Sequence, residues 1–361
     1  MKAAFAGWRG MVGSVLLERM EAENDFDEVD VTFLSTSQAG KSGPRGSILA
    51  DAYDLSLLSG FDVVISCQGS DYTKKVHSGL RKSGWRGYWI DSASELRQKS
   101  FSVLVLDPVN RSEIDKAIEA GVKDLIGANC TVSPMLMGLS GLFKSGLVEW
   151  ANLDTYQAVS GAGAKFIMEL LDQMRFVGSI SYAIDDNIAA RLAKIDRRLK
   201  SSELPTDNFG FPIAGNLLPW IDADLGNGQS REEAKTETET NKILNTNTTI
   251  PIDGTCVRVG SFRSHATAVT IKLKKNVPLG KIEEMIKSAN EWVDFVPNER
   301  EATLSRLSPV AVSGTLNVAV GRVRKLSMGP EYLGSFVVGD QLLWGAAEPL
   351  RRVLHIVNKT L

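Results

Sequence analysis

Cysteine and histidine are both scarce in this chain of 361 residues, which contains three of each. An odd and sparse set of cysteines argues against a disulfide framework and favours a reducing compartment, so we expect a cytoplasmic protein. Neither residue type recurs at a Cys-x-x-Cys or His-x-x-His spacing, so no metal site is expected. Catalysis by a thiol or an imidazole must use one of six residues: Cys67, Cys130, Cys256, His77, His265 and His355.

An excess of charge of either sign is lacking too, since 41 Lys and Arg residues oppose 43 Asp and Glu residues. This balance predicts no binding to nucleic acid or to an anionic membrane surface. No apolar run approaches the ~20 residues that cross a bilayer, and the short apolar stretch at the N-terminus fits a first strand better than a signal peptide. With 43% hydrophobic residues, the chain is expected to form about two globular domains.

The first third of the chain alternates short apolar, β-branched runs with amphipathic stretches. Near-continuous apolar strands separated by helices predict a parallel sheet covered on both faces. The predicted strands are 3–6, 29–34, 61–66, 87–90 and 103–106, and the predicted helices are one ending near Glu21, 72–83 and 111–120.

After Cys130 the pattern changes to that of an α+β domain. The predicted elements are an apolar helix over 135–143, strands over 155–159, 256–262 and 268–273, and a polar helical stretch over 166–200, with 203–250 rich in Gly, Pro, Asn and Thr. The final segment, 340–361, has a helical pattern and is expected to pack on the first domain.

Three glycines, Gly7, Gly10 and Gly13, lie between the first predicted strand and the first helix. At such a turn the diphosphate of a dinucleotide rests on backbone N–H groups at the helix N-terminus. The spacing is Gly-x-x-Gly-x-x-Gly rather than Gly-x-Gly-x-x-Gly, so the strand–turn–helix context carries the prediction of a cofactor site.

The segment Ser35-Thr36-Ser37-Gln38 follows the second predicted strand, where an NAD enzyme usually places a carboxylate for the ribose hydroxyl. Hydroxyl groups accommodate a 2′-phosphate, which a carboxylate repels, so NADP is favoured over NAD. An ordinary polar loop is the alternative reading of the same residues.

Cys130 lies in the segment GANCTVS, between a predicted strand and an apolar helix. The dipole at a helix N-terminus lowers the pKa of a thiol, and a thiolate is the nucleophile in acyl transfer. A buried structural cysteine is the alternative.

The segment VRVGSFRSH contains two further candidates. Arg258 can bind a carboxylate or phosphate, and His265 can move a proton near neutral pH, although single residues of these types are more often surface features.

Nine segments in order give the chain a resemblance to the aspartate-β-semialdehyde dehydrogenase family, of the Gram-negative bacterial type. They are GWRGMVGSVL (7–16), STSQ (35–38), CQGSDYT (67–73), GYWIDSAS (87–94), GANCTVS (127–133), TYQAVSG (155–161), NKILNT (241–246), VRVGSFRSH (257–265) and GDQLLWGAAEPLRR (339–352).

This resemblance implies an α/β fold: an N-terminal Rossmann-like NADP-binding domain, 1–128 with 341–361, and an α+β catalytic and dimerisation domain, 129–340, like that of glyceraldehyde-3-phosphate dehydrogenase. It implies a homodimer that reduces β-aspartyl phosphate with NADPH to aspartate β-semialdehyde and phosphate, in lysine, methionine and threonine biosynthesis. The alternatives are a related acyl-phosphate reductase, such as N-acetylglutamyl-phosphate reductase, and a non-catalytic nucleotide-binding or interaction protein on the same fold.

The resemblance also implies roles for particular residues. Cys130 matches the nucleophile, His265 the acid/base residue and Gln157 the glutamine that orients the acyl-enzyme. The substrate and phosphate contacts are Arg97, Asn129, Glu232, Lys235 and Arg258. The cofactor contacts are Gly7, Arg9, Gly10, Met11, Val12, Ser35, Thr36, Gln68 and Gln341.

Overall fold

The computed structural model describes residues 1–180 and 187–361, which form two β-sheets with helices packed on both. The predicted helical stretch 166–200 therefore lies partly outside the described residues. None of the described helices is both long and apolar enough to cross a membrane.

The first sheet contains seven strands, and every hydrogen-bonded pair in it is parallel. The strands are β1 (Lys2–Ala6), β2 (Asp30–Ser35), β3 (Ala50–Asp51), β4 (Val63–Ser66), β5 (Tyr88–Asp91), β6 (Ser102–Val105) and β7 (Asp124–Gly127), in the spatial order β3-β2-β1-β4-β5-β7-β6. The helices of this part are α1 (Met11–Ala22), α2 (Leu55–Leu58), α3 (Ser70–Lys82) and α4 (Asp107–Glu119). The predicted doubly covered parallel sheet is confirmed.

Both faces of this sheet are covered, as the continuous apolar runs required. On one face, Leu16 of α1 packs with Leu350 and Leu354 near the C-terminus. On the other face, Leu80 of α3 and Trp89 of β5 belong to a core cluster that continues into the second sheet. Each such side chain contributes about 1.5–3 kcal/mol when fully buried. The last helix, α12 (Glu348–Asn358), thus packs on the first sheet, as predicted for the final segment.

The second part of the chain forms a mixed sheet of eight strands. These are β8 (Val148–Gln157), β9 (Leu217–Leu218), β10 (Ile252–Asp253), β11 (Cys256–Val259), β12 (His265–Leu273), β13 (Val293–Phe295), β14 (Val318–Leu326) and β15 (Gly329–Gly339). The helices are α5 (Val132–Lys144), α6 (Ala164–Gly178), α7 (Ile188–Leu199), α8 (Arg231–Leu244), α9 (Leu279–Lys287), α10 (Arg300–Arg306) and α11 (Pro309–Val312). The predicted α+β character of this part is confirmed.

Two predictions for this part were incomplete. Strand β8 begins at Val148, not at residue 155, because antiparallel pairing with β12 from Val148 to Tyr156 overrides the low strand propensity of Asn152 and Asp154. Helix α8 lies inside the region 203–250, for which no helix was predicted. Its start is a capping box in which Ser230 and Glu233 satisfy each other's backbone N–H groups.

Candidate active site

Cys130 lies between the carboxyl end of β7 and the first turn of α5. The side-chain oxygen of Asn129 accepts a hydrogen bond from the backbone N–H of Thr131 at 2.8 Å, which fixes the turn around Cys130. On the other side, a π-helical turn over Leu343–Ala347 packs against the cysteine. A Cβ on Gly345 would lie 2.9 Å from Cys130 Cα, so only glycine fits there.

His265 is the first residue of β12 and its ring faces Cys130. Its Nε2 lies 3.4 Å from Cys130 Sγ, and its Nδ1 accepts a hydrogen bond from the backbone N–H of Ala158 at 3.0 Å. Since Nδ1 is an acceptor, the proton of the neutral ring is on Nε2, directed toward the thiol. Burial, together with the positive charge of Arg258, lowers the pKa of His265 to about 3. The ring therefore does not titrate near neutral pH, contrary to the expectation from its usual pKa.

The expected lowering of the Cys130 pKa is also wrong for the protein without ligands. Burial raises the pKa of the Cys130 thiol to about 12, and the negative charge of Glu232 raises it further against the opposing charges of Arg97, Arg258 and Lys235. Desolvation outweighs the helix dipole because the thiol is enclosed by protein on every side but the cavity.

We expect Glu232→Gln to make Cys130 more reactive in the protein without ligands. Removal of the carboxylate lowers the Cys130 pKa, and a shift of one unit gives about tenfold more thiolate at any pH below it. The measurement is the rate of iodoacetamide alkylation at Cys130 between pH 7 and 10, followed by mass spectrometry of the Cys130 peptide. In both proteins the rate should rise about tenfold per pH unit.

Glu237→Gln is the control for this experiment, because Glu237 lies on the same helix and its carboxylate accepts from the backbone N–H of Ile252 instead. An unchanged or slower rate in Glu232→Gln would contradict the electrostatic role of Glu232.

Polar side chains from both halves of the chain line a cavity of about 390 Å³ next to Cys130. Arg258 donates to the carbonyl oxygen of Ala158 at 2.7 Å. Gln157 donates to Thr155 Oγ1 at 3.2 Å and to Glu232 Oε1 at 3.4 Å. The predicted site residues that line this cavity are Cys130, Gln157, Arg97, Asn129, Glu232, Lys235, Arg258, Val12 and Gln341.

Glu232 and Lys235, one turn apart on α8, form an ion pair of 2.9 Å inside this cavity. Although burial raises the pKa of Glu232, the Lys235 charge and the hydrogen bond from Asn129 Nδ2 (2.9 Å) outweigh it and keep that pKa below its usual value. Burial likewise lowers the pKa of Lys235, but Glu232 and Asp222 raise it by more, so its net shift is upward. Both groups are therefore charged at neutral pH.

A second cavity, of about 300 Å³, lies beyond the carboxyl ends of β1, β2 and β4. Its lining includes six of the predicted cofactor contacts: Gly7, Arg9, Gly10, Ser35, Thr36 and Gln68. Met11 begins α1 between Gly10, which lines this second cavity, and Val12, which lines the first. The two cavities are thus adjacent at the N-terminus of α1.

Gln341 contacts the turn that precedes His265. Its Oε1 accepts from the backbone N–H of Ser264 at 2.7 Å, and its amide nitrogen donates to Ser160 Oγ. Ser264 has a positive φ of 71°, so this hydrogen bond stabilises a strained turn that orients His265.

Sequence reasoning missed three residues at the site. Glu239 holds Arg97 and Asn129, Asp222 holds Lys235 at 2.8 Å, and Gly345 permits the contact with Cys130. For Glu239 a signal was present, since Glu232, Lys235 and Glu239 follow the spacing of one helix face. No local pattern identified Asp222 or Gly345, because their partners are distant in the chain.

Comparison with known proteins places this chain among the semialdehyde dehydrogenases. The NAD binding domain of that class matches residues 2–117, and its dimerisation domain matches residues 139–344. An aspartate semialdehyde dehydrogenase from Francisella tularensis is 49% identical, with a TM-score of 0.96 over 99% of both chains. The chain therefore belongs to the aspartate semialdehyde dehydrogenase family.

More distant structures are similar over the same length. Aspartate semialdehyde dehydrogenase II of Vibrio cholerae, solved in complex with ASA, is 25% identical with a TM-score of 0.80, over 99% of this chain and 98% of the other. The enzyme of Candida albicans, solved with NADP, is 16% identical with a TM-score of 0.68, over 100% of this chain and 99% of the other, and shares the fold.

Proposed function

We propose that this protein catalyses the NADPH-dependent reductive dephosphorylation of β-aspartyl phosphate to aspartate β-semialdehyde, and the reverse reaction, through a thioester on Cys130. The observation that carries the proposal is one cavity lined by Cys130 and by two opposite charges, Arg258 and Glu232, with the His265 ring 3.4 Å from the Cys130 sulfur. A thiol suits acyl transfer from an acyl phosphate.

The two opposite charges favour an amino-acid substrate. Arg258 is suited to the α-carboxylate, and Glu232 to the α-ammonium group. An N-acetylated substrate, as in N-acetylglutamyl-phosphate reductase, has no ammonium charge and would leave the buried Glu232 carboxylate without that partner. The site therefore favours aspartyl phosphate over the acetylated alternative.

The second cavity fits the adenine-nucleotide end of NADP. Helix α1 begins without a side-chain cap, so the N–H groups of its first turn suit a diphosphate. Gly7 has a φ of 84°, and a Cβ there would lie 2.5 Å from the carbonyl carbon of Cys67. None of the described residues lining this cavity is Asp or Glu, which supports NADP over NAD. Gly7, Arg9, Gly10, Met11, Val12, Ser35, Thr36, Gln68 and Gln341 are the proposed contacts.

Acyl transfer is the first chemical step of the proposed mechanism. Arg258 and Glu232 hold the amino-acid end, and Gln157 orients the acyl group against Cys130. The Cys130 sulfur attacks the carbonyl carbon, the C–O bond to phosphate breaks, and the thiol proton leaves on the phosphate. Arg97, Asn129 and Lys235 stabilise the departing charge, and their cavity lies beside Cys130.

Reduction of the thioester is the second step. The bound cofactor supplies the hydride. His265 donates from Nε2–H to the oxygen that gains negative charge, and it keeps this proton as the carbonyl re-forms and the C–S bond breaks. The aldehyde leaves, and the Cys130 sulfur takes up a proton from the solvent to restore the thiol. The neutral ring with its proton on Nε2 is the form needed for this donation, and the hydrogen bond from Ala158 maintains it.

The remaining proposals follow from the family. We propose a cytoplasmic homodimer that acts in lysine, methionine and threonine biosynthesis. We also propose domain boundaries at 1–128 with 341–361 for the cofactor part and 129–340 for the catalytic and dimerisation part. The matched dimerisation domain over residues 139–344 supports the homodimer.

The test of the function is an assay of the purified chain with aspartate β-semialdehyde, NADP and phosphate. We expect oxidation that requires phosphate, with NADP preferred to NAD and little turnover of N-acetylglutamate semialdehyde. Better turnover of the acetylated five-carbon substrate would favour the related reductase instead. The absence of both turnover and NADP binding, with an unreactive Cys130, would favour the non-catalytic alternative.

We expect Gly7→Ala to weaken NADP binding by at least about tenfold, because its Cβ would collide with the backbone of Cys67 and Gln68 and displace the turn. Binding is measured by titration of the purified proteins with NADP. Gly121→Ala is the matched control, since Gly121 has a similar φ of 87° but open space around its Cβ position. Equal losses in both variants would show that backbone strain, not the close approach at Gly7, causes the effect.

A further inference from the structure

Glu239 is a buried carboxylate, 1% exposed, on the inner face of α8. Its Oε1 accepts from Arg97 Nη1 at 3.2 Å, and its Oε2 accepts from the backbone N–H of Asn129 at 2.6 Å. One carboxylate therefore joins the side chain of Arg97 to the residue immediately before Cys130.

The same helix also holds the backbone of Arg97. One turn beyond Glu239, the Lys242 ammonium donates to the carbonyl oxygens of Arg97 at 2.5 Å and Lys99 at 2.8 Å. Arg97 further donates from Nη2 to the carbonyl oxygen of Ser92 at 3.0 Å. Side chain and main chain of Arg97 are thus both fixed by contacts from α8.

Arg97 retains capacity for a ligand despite these contacts. Its Nε–H is buried without a hydrogen-bond partner among the described residues, and the side chain lines the cavity beside Cys130. A guanidinium that is held on two sides and has a remaining donor is preorganised for an oxyanion.

We propose that Glu239 is a positioning residue that sets Arg97 at a fixed place relative to Cys130, so that phosphate binds next to the thiol. Lys242 supports the same arrangement from the backbone side. This inference rests on the proposed function for its meaning in catalysis, but the placement of phosphate beside Cys130 can be measured without turnover.

The test is protection of Cys130 from iodoacetamide by inorganic phosphate at pH 9. In the unmodified protein, phosphate bound at Arg97 should slow alkylation with a saturable dependence on concentration. We expect Glu239→Gln to raise the half-saturating phosphate concentration at least tenfold. Whichever way the new amide is oriented, its NH₂ group cannot accept, so one of the two contacts is lost. Glu237→Gln on the same helix is the matched control and should stay within twofold.

The direction in which the half-saturating phosphate concentration changes distinguishes a positioning role of Glu239 from a purely electrostatic one. Removal of the Glu239 charge alone would leave Arg97 less neutralised and would tighten phosphate binding. If the half-saturating phosphate concentration in Glu239→Gln is equal to or lower than that in the unmodified protein, the proposal is therefore overturned. So would a lack of phosphate protection in the unmodified protein.

Turnover gives an independent second readout. In the oxidation of aspartate semialdehyde, Glu239→Gln should raise the KM for phosphate by more than the KM for the aldehyde, whereas general disorder of the site would raise both alike. If the unmodified protein does not oxidise the aldehyde, the proposed function fails, while the protection experiment still decides the role of Glu239. If Glu239→Gln does not fold, Lys242→Met is used in its place. A half-saturating phosphate concentration in Lys242→Met equal to that of the unmodified protein would then contradict the proposal.

Discussion

Replacement of Cys130 by alanine is expected to lower the phosphate-dependent oxidation of aspartate semialdehyde by about 10⁴-fold or more. Without the thiol there is no atom to form the thioester, and Cys130 is the only Cys or His residue among the described residues that line the cavity. The measurement is initial-rate kinetics with NADPH formation followed by absorbance.

Cys256→Ala is the control for this prediction. Cys256 is buried in β11, burial raises its pKa to about 12, and it does not line the cavity. It should keep most of the activity, apart from a modest loss of stability. Retention of even a tenth of the activity in Cys130→Ala would refute the nucleophile assignment.

Replacement of Arg258 by alanine is expected to raise the KM for aspartate semialdehyde about 100-fold. Loss of one partner from a buried, hydrogen-bonded charge pair costs about 3 kcal/mol, and each 1.4 kcal/mol corresponds to about tenfold. Arg258 is 7% exposed and its guanidinium lies in the cavity wall, so water cannot fully replace it. The measurement is steady-state kinetics with the aldehyde and with phosphate varied separately.

The comparison of the two KM values makes this experiment decisive. If the KM for phosphate rises and that for the aldehyde does not, Arg258 binds phosphate and its assignment must be exchanged with that of Arg97. Arg324→Ala, which removes an exposed arginine from β14 of the same sheet, should change neither value. Arg258→Lys should give an intermediate effect, since lysine keeps the charge but not the paired donors.

The sequence predicted the first sheet well because local rules apply to it. Its strands are buried on both faces, so continuous apolar runs mark them, and β4 and β5 lie within two residues of their predicted starts. The strands of the second sheet were harder to predict from the sequence. Strand β8 carries polar residues on one face, and its pairing with β12 over nearly its whole length and with β10 and β11 on the other edge stabilises it.

The candidate site shows the same division. Cys130 and the glycine turn were recognisable from their places between a strand and a helix. Glu239 was not recognised, although it lies on α8 with Glu232 and Lys235, because its importance depends on Arg97 and Asn129, more than 100 residues away.

Residue types and their order along the chain thus determined the fold class and the family, and they predicted Cys130 as the reactive thiol. The tertiary structure alone decided the ionisation of that thiol and of His265. Burial raises one pKa and lowers the other, and burial depends on elements that are distant in sequence, such as the turn at Gly345 packed against Cys130. It also decided that His265 carries its proton on Nε2, because the N–H group of Ala158 occupies Nδ1.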